Sequence, residues 1–263
     1  MNVIADLHVH TVKSSTGTST LKEVTGAASQ EKIKCIAVTD YGPKANSSKK
    51  ELIKYISYLP ERMNNIQIIK GIEADVMDLH SGNIDITNDD SENFDWIAGA
   101  YHEISEYDKN ILNNSILTNL YLNMANNPIL NTISHLERED CGFDMIKVLS
   151  AMKENGKVVE ISAANFNRKT EQIKKRLTAL INICKEEKIP ICIVSNAHSY
   201  YEVGKFEDIK EYLESIQFPS DLVINSDKDI LLDYIKNFKE LKEKKIAEQN
   251  SPIYLKRGGT RRF

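Results

Sequence analysis

Two histidines one residue apart, His8-Val9-His10, begin a series of imidazoles that continues at His102, His135 and His198, with Glu73 lying between. Imidazole is the commonest transition-metal ligand, and a carboxylate can bridge two cations. A spacing of two puts both rings on one face of an extended segment. A His-x-His pair by itself is a weak signal. With Glu73 and three more histidines it points to a divalent metal site. The sixth histidine, His80, sits in the polar segment Asp78-Leu79-His80-Ser81-Gly82 and reads as an ordinary surface residue. Asp6 and Asp40 flank the series, where a carboxylate either accepts the far N–H of an imidazole and raises its basicity or caps a strand end.

These residues need elements to bring them together. Apolar, β-branched runs recur at 2–8, 35–40, 66–76, 96–102, 129–135, 157–161 and 191–197. Segments of helical periodicity separate them, such as Ile146-Leu149-Met152 after Asp144 and Ile173-Leu177-Leu180-Ile181-Cys184. Seven strand–helix repeats predict a parallel α/β fold, either an open doubly wound sheet or a closed barrel. No GxGxxG follows a strand and no GxxxxGK[ST] occurs, which counts against a nucleotide-binding open sheet. Five of the six histidines end such a run. Strand ends open on one face of a parallel barrel, so a barrel would gather them.

The chain has 263 residues, 41% hydrophobic and 27% charged, which is a globular composition. No apolar run approaches the roughly 20 residues needed to span a bilayer, and the first residues lack the pattern of a secretory signal. Cys35, Cys141, Cys184 and Cys192 show no CxxC spacing, so a reduced, cytoplasmic protein is expected. The net charge of -4 is uneven: residues from Lys236 onward carry +6 and those before carry -10. An acidic body is a poor nucleic-acid surface. The basic end reads as a solvated helix around Lys239-Glu240-Leu241-Lys242-Glu243 with a frayed tail.

Seven ordered segments resemble the signatures of the PHP (polymerase and histidinol phosphatase) superfamily, and most of all its small stand-alone bacterial phosphatases. They are Asp6-Leu7-His8-Val9-His10-Thr11, Ala37-Val38-Thr39-Asp40-Tyr41-Gly42, Gly71-Ile72-Glu73-Ala74, Ala100-Tyr101-His102-Glu103, Ile133-Ser134-His135, Val159-Glu160-Ile161-Ser162 and Ser195-Asn196-Ala197-His198. The resemblance implies a distorted seven-stranded (β/α)7 barrel over residues 1–238, with 239–263 as a basic helix and tail extension. It also implies hydrolysis of a small phosphomonoester through a metal-bound hydroxide.

By that resemblance His8, His10 and Glu73 hold a first metal, and Glu73, His102 and His135 a second. Asn196 stands where the family has an aspartate ligand. Thr16, Tyr41 and His198 stand where it has three histidines for a third metal. Two divalent ions (Zn, Mn or Fe) are therefore expected, with a weak or empty third site. His198 would hold a residual cation or give a proton to the leaving oxygen. Asp40 joins His198 in the expected catalytic set, and Lys13 and Arg138 would meet the phosphate. The alternative is a degenerate relative that binds metal or a phosphorylated ligand with little or no turnover. An amidohydrolase, whose barrels also open with His-x-His, is disfavoured because His102 and Asn196 stand where it would need a lysine and an aspartate. A proofreading module is disfavoured by the acidic body. The residues carry no signal of oligomeric state.

Overall fold

Strand and helix alternate through the computed structural model, which describes residues 1–45, 48–102, 111–138, 142–168 and 170–251. The strands are β1 (Ala5–Val9), β2 (Cys35–Val38), β3 (Arg62–Met63), β4 (Ile66–Asp75), β5 (Trp96–Ala100), β6 (Thr132–Ile133), β7 (Val158–Ser162) and β8 (Ile191–Val194). Seven of them run parallel in the order β1-β2-β4-β5-β6-β7-β8, and β3 adds antiparallel to β4. Near its carboxyl end β1 meets the segment after β8 through a parallel bridge between Val9 and Ala197, where His10 N donates to Ala197 O at 2.8 Å. The result is the distorted, nearly closed (β/α)7 barrel expected from the motifs. The remaining seam is filled by a side chain. Buried Asn225 donates to Ala5 O (2.7 Å) and Ile193 O (2.6 Å) and accepts from Ile193 N (3.1 Å), tying β1 to β8 where they do not pair directly.

Alternation along the strands sorts the core. Ala5, Leu7, Cys35, Ala37, Ile69, Trp96, Val158, Cys192 and Val194 form one cluster, the barrel interior. Their strand neighbours Ile36, Val38, Ile68, Ile72, Ile97, Val159, Ile161 and Ile193 belong to the larger cluster under the surrounding helices. Continuing the inner row toward the carboxyl ends reaches Glu73, His102, Glu160 and Asn196. On β1 the row changes phase. The β1–β2 register shifts between Asp6 and Val9, so Leu7 and His8 both face inward. A bulge re-aims a side chain in this way.

The helix Met145–Glu154 is capped by the Asp144 carboxylate on Lys147 N. It buries Val148, Leu149 and Met152, whereas Ile146 is 64% exposed. The apolar stripe is thus Met145, Val148, Leu149 and Met152, and Ile146 lies outside it. The helix Glu171–Glu186 buries Leu177, Leu180, Ile181 and Cys184 as the periodicity predicts. The last helix runs unbroken from Lys228 to Gln249, across residue 238. Leu231 joins the barrel-interior cluster, with Ile230, Tyr234 and Ile235 packed against it. The helix therefore plugs the amino-terminal end of the barrel, opposite the histidines. Cys35, Cys184 and Cys192 are buried and free, and Cys141 lies outside the described residues. Among the described residues no helix is long and apolar enough to cross a membrane.

Candidate metal centre

Glu73 emerges from β4 at the barrel mouth, buried, and four imidazoles surround it. His8 Nε2 and His10 Nε2 lie 3.5 and 3.4 Å from Oε2 and 3.1 Å from each other. His102 Nε2 and His135 Nε2 lie 3.7 and 3.2 Å from Oε1. Tetrahedral ligands at about 2.0–2.1 Å from one cation stand about 3.3 Å apart, so the spacing suits ligation. His8, His10 and Glu73 form one potential cation site, and Glu73, His102 and His135 form another, with the carboxylate shared. His135 adopts a left-handed backbone, φ 61°. Such a conformation costs a non-glycine residue energy, and it concentrates at functional sites.

An acid stands behind each ring, in contact with His8, through Ser14 for His10, and at longer range for His102 and His135. His8 Nδ1 donates to Glu160 at 3.0 Å, and Ser134 Oγ donates to the same carboxylate at 3.1 Å. His10 Nδ1 donates to Ser14 Oγ (2.9 Å), which donates to Asp40 Oδ1 (2.8 Å). His102 Nδ1 faces Asp75 Oδ1 at 3.4 Å, and Lys44 Nζ sits 3.1 Å from the other oxygen of Asp75. His135 Nδ1 is 3.9 Å from Glu137, within electrostatic reach but beyond a hydrogen bond. These contacts leave the Nε2 atoms facing Glu73. The carboxylates behind the rings also supply negative charge that a count of Glu73 alone misses.

The electrostatics follow. Burial opposes charge on His8, yet Glu160 and Glu73 outweigh it and raise its pKa well above the ordinary value. Burial is likewise overcome at His135, where Glu137 and Glu73 raise the pKa to about 10. His10 is lowered, chiefly by burial. Glu73 would be raised by burial, but the charge on His8 and the rings of His10 and His135 hold it well below the usual carboxylate range. Among the described residues neither Glu73 oxygen accepts a hydrogen bond, although both are buried, and Asn196 Oδ1 is also buried without a partner. Buried oxygens without donors are costly. A cation among them would satisfy the set, so the residues present fit divalent metal.

Asn196 follows β8 with a left-handed φ of 53°. His198 lies in neither cation cluster; its ring stacks on His10 at 4.4 Å between centroids, 5° from parallel. Burial, then His10 and His8, lower its pKa to about 4. Its Nδ1 is 2.8 Å from Thr16 Oγ1, which donates to Tyr41 OH at 3.2 Å. Asp40 touches the centre only through Ser14, and also accepts from Thr11 N, Thr11 Oγ1 and Tyr55 OH. Asp6 is a cap, accepting from Ser195 N and Gly204 N at 3.0 Å each. Lys13 is exposed, its ammonium 5.5 Å from the Tyr55 ring centre. The Arg138 guanidinium lies 4.7 Å from the Tyr101 ring centre and donates to Tyr101 O. His80 is exposed.

The acids behind His8, His102 and His135 escaped the reading of the sequence. Glu160 was legible in principle: in Val158-Val159-Glu160-Ile161-Ser162 the alternation puts a carboxylate inside a buried strand, where it needs a partner. Asp75 continues the inner row of Glu73, two residues on. Glu137, in the turn after His135, offered no comparable signal.

The family described as PHP domain matches residues 6–217. A "Probable phosphatase" of Acetivibrio thermocellus is 30% identical over 243 residues, covering 91% of this chain and 98% of its own length. Another, from Clostridium novyi, is 29% identical over 245 residues, covering 92% and 98%. Among solved structures, histidinol phosphate phosphatase from Lactococcus lactis, complexed with zinc, L-histidinol and phosphate, superposes with a TM-score of 0.54 at 16% identity, covering 92% of this chain and 93% of that one. A chain of archaeal ribonuclease P with mature tRNA gives 0.52 at 11% identity, covering 94% of each. At those identities the structures share the fold alone.

Proposed function

This chain belongs to the PHP domain family, and on that premise we propose that it is a metal-dependent phosphoesterase acting on a small phosphomonoester. The observation that carries the proposal is Glu73 shared between two three-ligand clusters. The phosphatase relatives and the zinc and phosphate of the Lactococcus lactis structure support it. His8, His10, Glu73 and Asn196 would hold one divalent ion, and Glu73, His102 and His135 a second. Imidazole with carboxylate suits Zn, Mn and Fe alike. Such a pair supplies Lewis-acid charge to phosphoryl oxygens and makes water a better nucleophile at neutral pH.

The chain's own groups do the rest. Glu160, Ser14 with Asp40, Asp75 and Glu137 orient the ligating rings. His198 lies outside both clusters and is the source of the proton that ends on the leaving oxygen, and a third ion would be held weakly if at all. Arg138 and Lys13 are assigned to the substrate phosphate. The free buried thiols suit a reducing, cytoplasmic setting. The test is turnover of generic phosphate esters after reconstitution with Mn, Zn, Fe or Co. His135→Ala should abolish turnover, and unchanged turnover would contradict the assignment.

One observation favours a second reading, a metal- or phosphate-binding protein with little turnover. Asn196 offers a neutral oxygen where the resemblance implies an aspartate, so the first ion loses a unit of favourable charge. Activity appearing only after Asn196→Asp and Tyr41→His would decide for it.

A further inference from the structure

His198 differs from the other mouth histidines in what stands behind its ring. The far nitrogens of His8, His102 and His135 face acids directly, and that of His10 reaches Asp40 through Ser14. His198 Nδ1 instead meets the neutral hydroxyl of Thr16. Thr16 donates its one hydroxyl proton to Tyr41 OH. Its oxygen is then the acceptor for His198, so the ring carries its proton on Nδ1. The chain has one polarity, His198 Nδ1–H to Thr16 and Thr16 to Tyr41, and among the described residues no acceptor takes the Tyr41 proton.

The fold holds all three members in place. Thr18 donates to His198 O twice, from N at 2.8 Å and from Oγ1 at 3.0 Å. Gly17 packs so closely on Thr11 O that a Cβ there would lie 1.8 Å from it, so only glycine lets this loop present Thr16. Tyr41 bridges to Glu73 through the backbone, and its ring lies 4.6 Å from that of His10 and 5.3 Å from that of His102. The Tyr41 ring therefore lies beside one histidine of each cation cluster.

We infer that Tyr41 is the donor to the ester oxygen that leaves, recharged by His198 through Thr16, in a relay built wholly of side chains. This rests on the phosphoesterase reading and names its acid. As the P–O bond to the leaving group breaks, that oxygen takes the Tyr41 proton. Tyr41 takes the proton of Thr16, Thr16 takes the Nδ1 proton of His198, and His198 Nε2 takes one from solvent. Before the next turnover the two hydroxyls rotate back and exchange with solvent returns the His198 proton from Nε2 to Nδ1. Tyr41 is a catalytic residue here, and Thr16 is a positioning residue that sets the polarity.

The leaving group reports on this step. A poor leaving group, an alkoxide, needs the proton, and p-nitrophenolate does not. Positioned proton transfer is worth roughly 100-fold or more. Tyr41→Phe and Thr16→Val should each lower kcat on an alkyl phosphate at least about tenfold more than on p-nitrophenyl phosphate, and Thr16→Ser should restore the difference. Metal content, by elemental analysis, should stay at two per chain. In the metal-free protein, nitrogen-15 shifts should show His198 as the Nδ1–H tautomer, a preference that Thr16→Val removes. Equal losses on both esters, loss of metal in the variants, or an Nε2–H tautomer would overturn the relay while leaving the phosphoesterase reading intact. A metal-loaded wild type that hydrolyses neither ester would end that reading, and the relay with it.

Discussion

His8 Nδ1 sits 3.0 Å from both carboxylate oxygens of Glu160, a residue 152 positions away on β7. That contact makes Nδ1 the donor and leaves Nε2 to face Glu73 and His10. Glu160→Gln keeps the shape and removes the charge. Metal affinity of the first cluster should fall about 10- to 100-fold with little change in fold, as read by calorimetric titration. An unchanged affinity would make Glu160 a structural residue only.

Asn196 brings a buried, unpartnered carbonyl oxygen to the mouth where a carboxylate would bring charge. Asn196→Asp should tighten binding of the weaker ion by roughly tenfold or more, since a unit charge at ligand distance is worth over a kcal/mol even when well screened. Chelator competition measures it. Weaker binding would place Asn196 outside the first site.

Metal binding should be strongly pH-dependent. In the metal-free protein His8 is raised well above its ordinary pKa and His135 to about 10, in each case by carboxylates that overcome burial. Both rings are then protonated at pH 7, and coordination through Nε2 expels a proton. Binding should release protons into weakly buffered solution at pH 7–9, and apparent affinity should rise with pH. The folded metal-free protein shows the opposite trend. Stability from the raised His135 is fully present below the unfolded value near 6.5 and is lost as pH rises through about 10. An indicator dye that records no proton release would contradict this.

Much of the centre could be read from the sequence because it uses rare residue types at strand ends. His8, His102 and His135 each close an apolar run, and parallel strands leave one way for those ends to converge. The acids behind the rings were harder to find. Glu160 and Asp75 lie within strands, and their partners are set by the barrel's curvature, which no local spacing encodes. Asp6, nearer in sequence to His8 than either, turned out to cap Ser195 and Gly204. The bulge between Asp6 and Val9, which aims Leu7 and His8 the same way, breaks the very alternation on which strand reading relies. Helix faces were partly legible: Ile146 fits a 3-residue spacing with Leu149, yet Val148 and Leu149 face the core and Ile146 faces water.

Barrel closure depends on Asn225, whose amide bridges Ala5 and Ile193 across the seam. Asn225→Ala leaves two carbonyls and the Ile193 N–H without that partner in a buried setting. A loss of about 2–4 kcal/mol is expected, seen as a lower midpoint in denaturant unfolding. A loss under about 0.5 kcal/mol would mean the seam is held elsewhere.

Glu73 is expected to join two divalent cations at the mouth. Anomalous scattering from crystals grown with Mn or Zn, collected on either side of the metal's absorption edge, tests it directly. Two peaks should flank Glu73, one against His8 and His10 and one against His102 and His135, each at about 2.0–2.2 Å from its ligand atoms. A metal-saturated crystal with no peak beside Glu73 would contradict it.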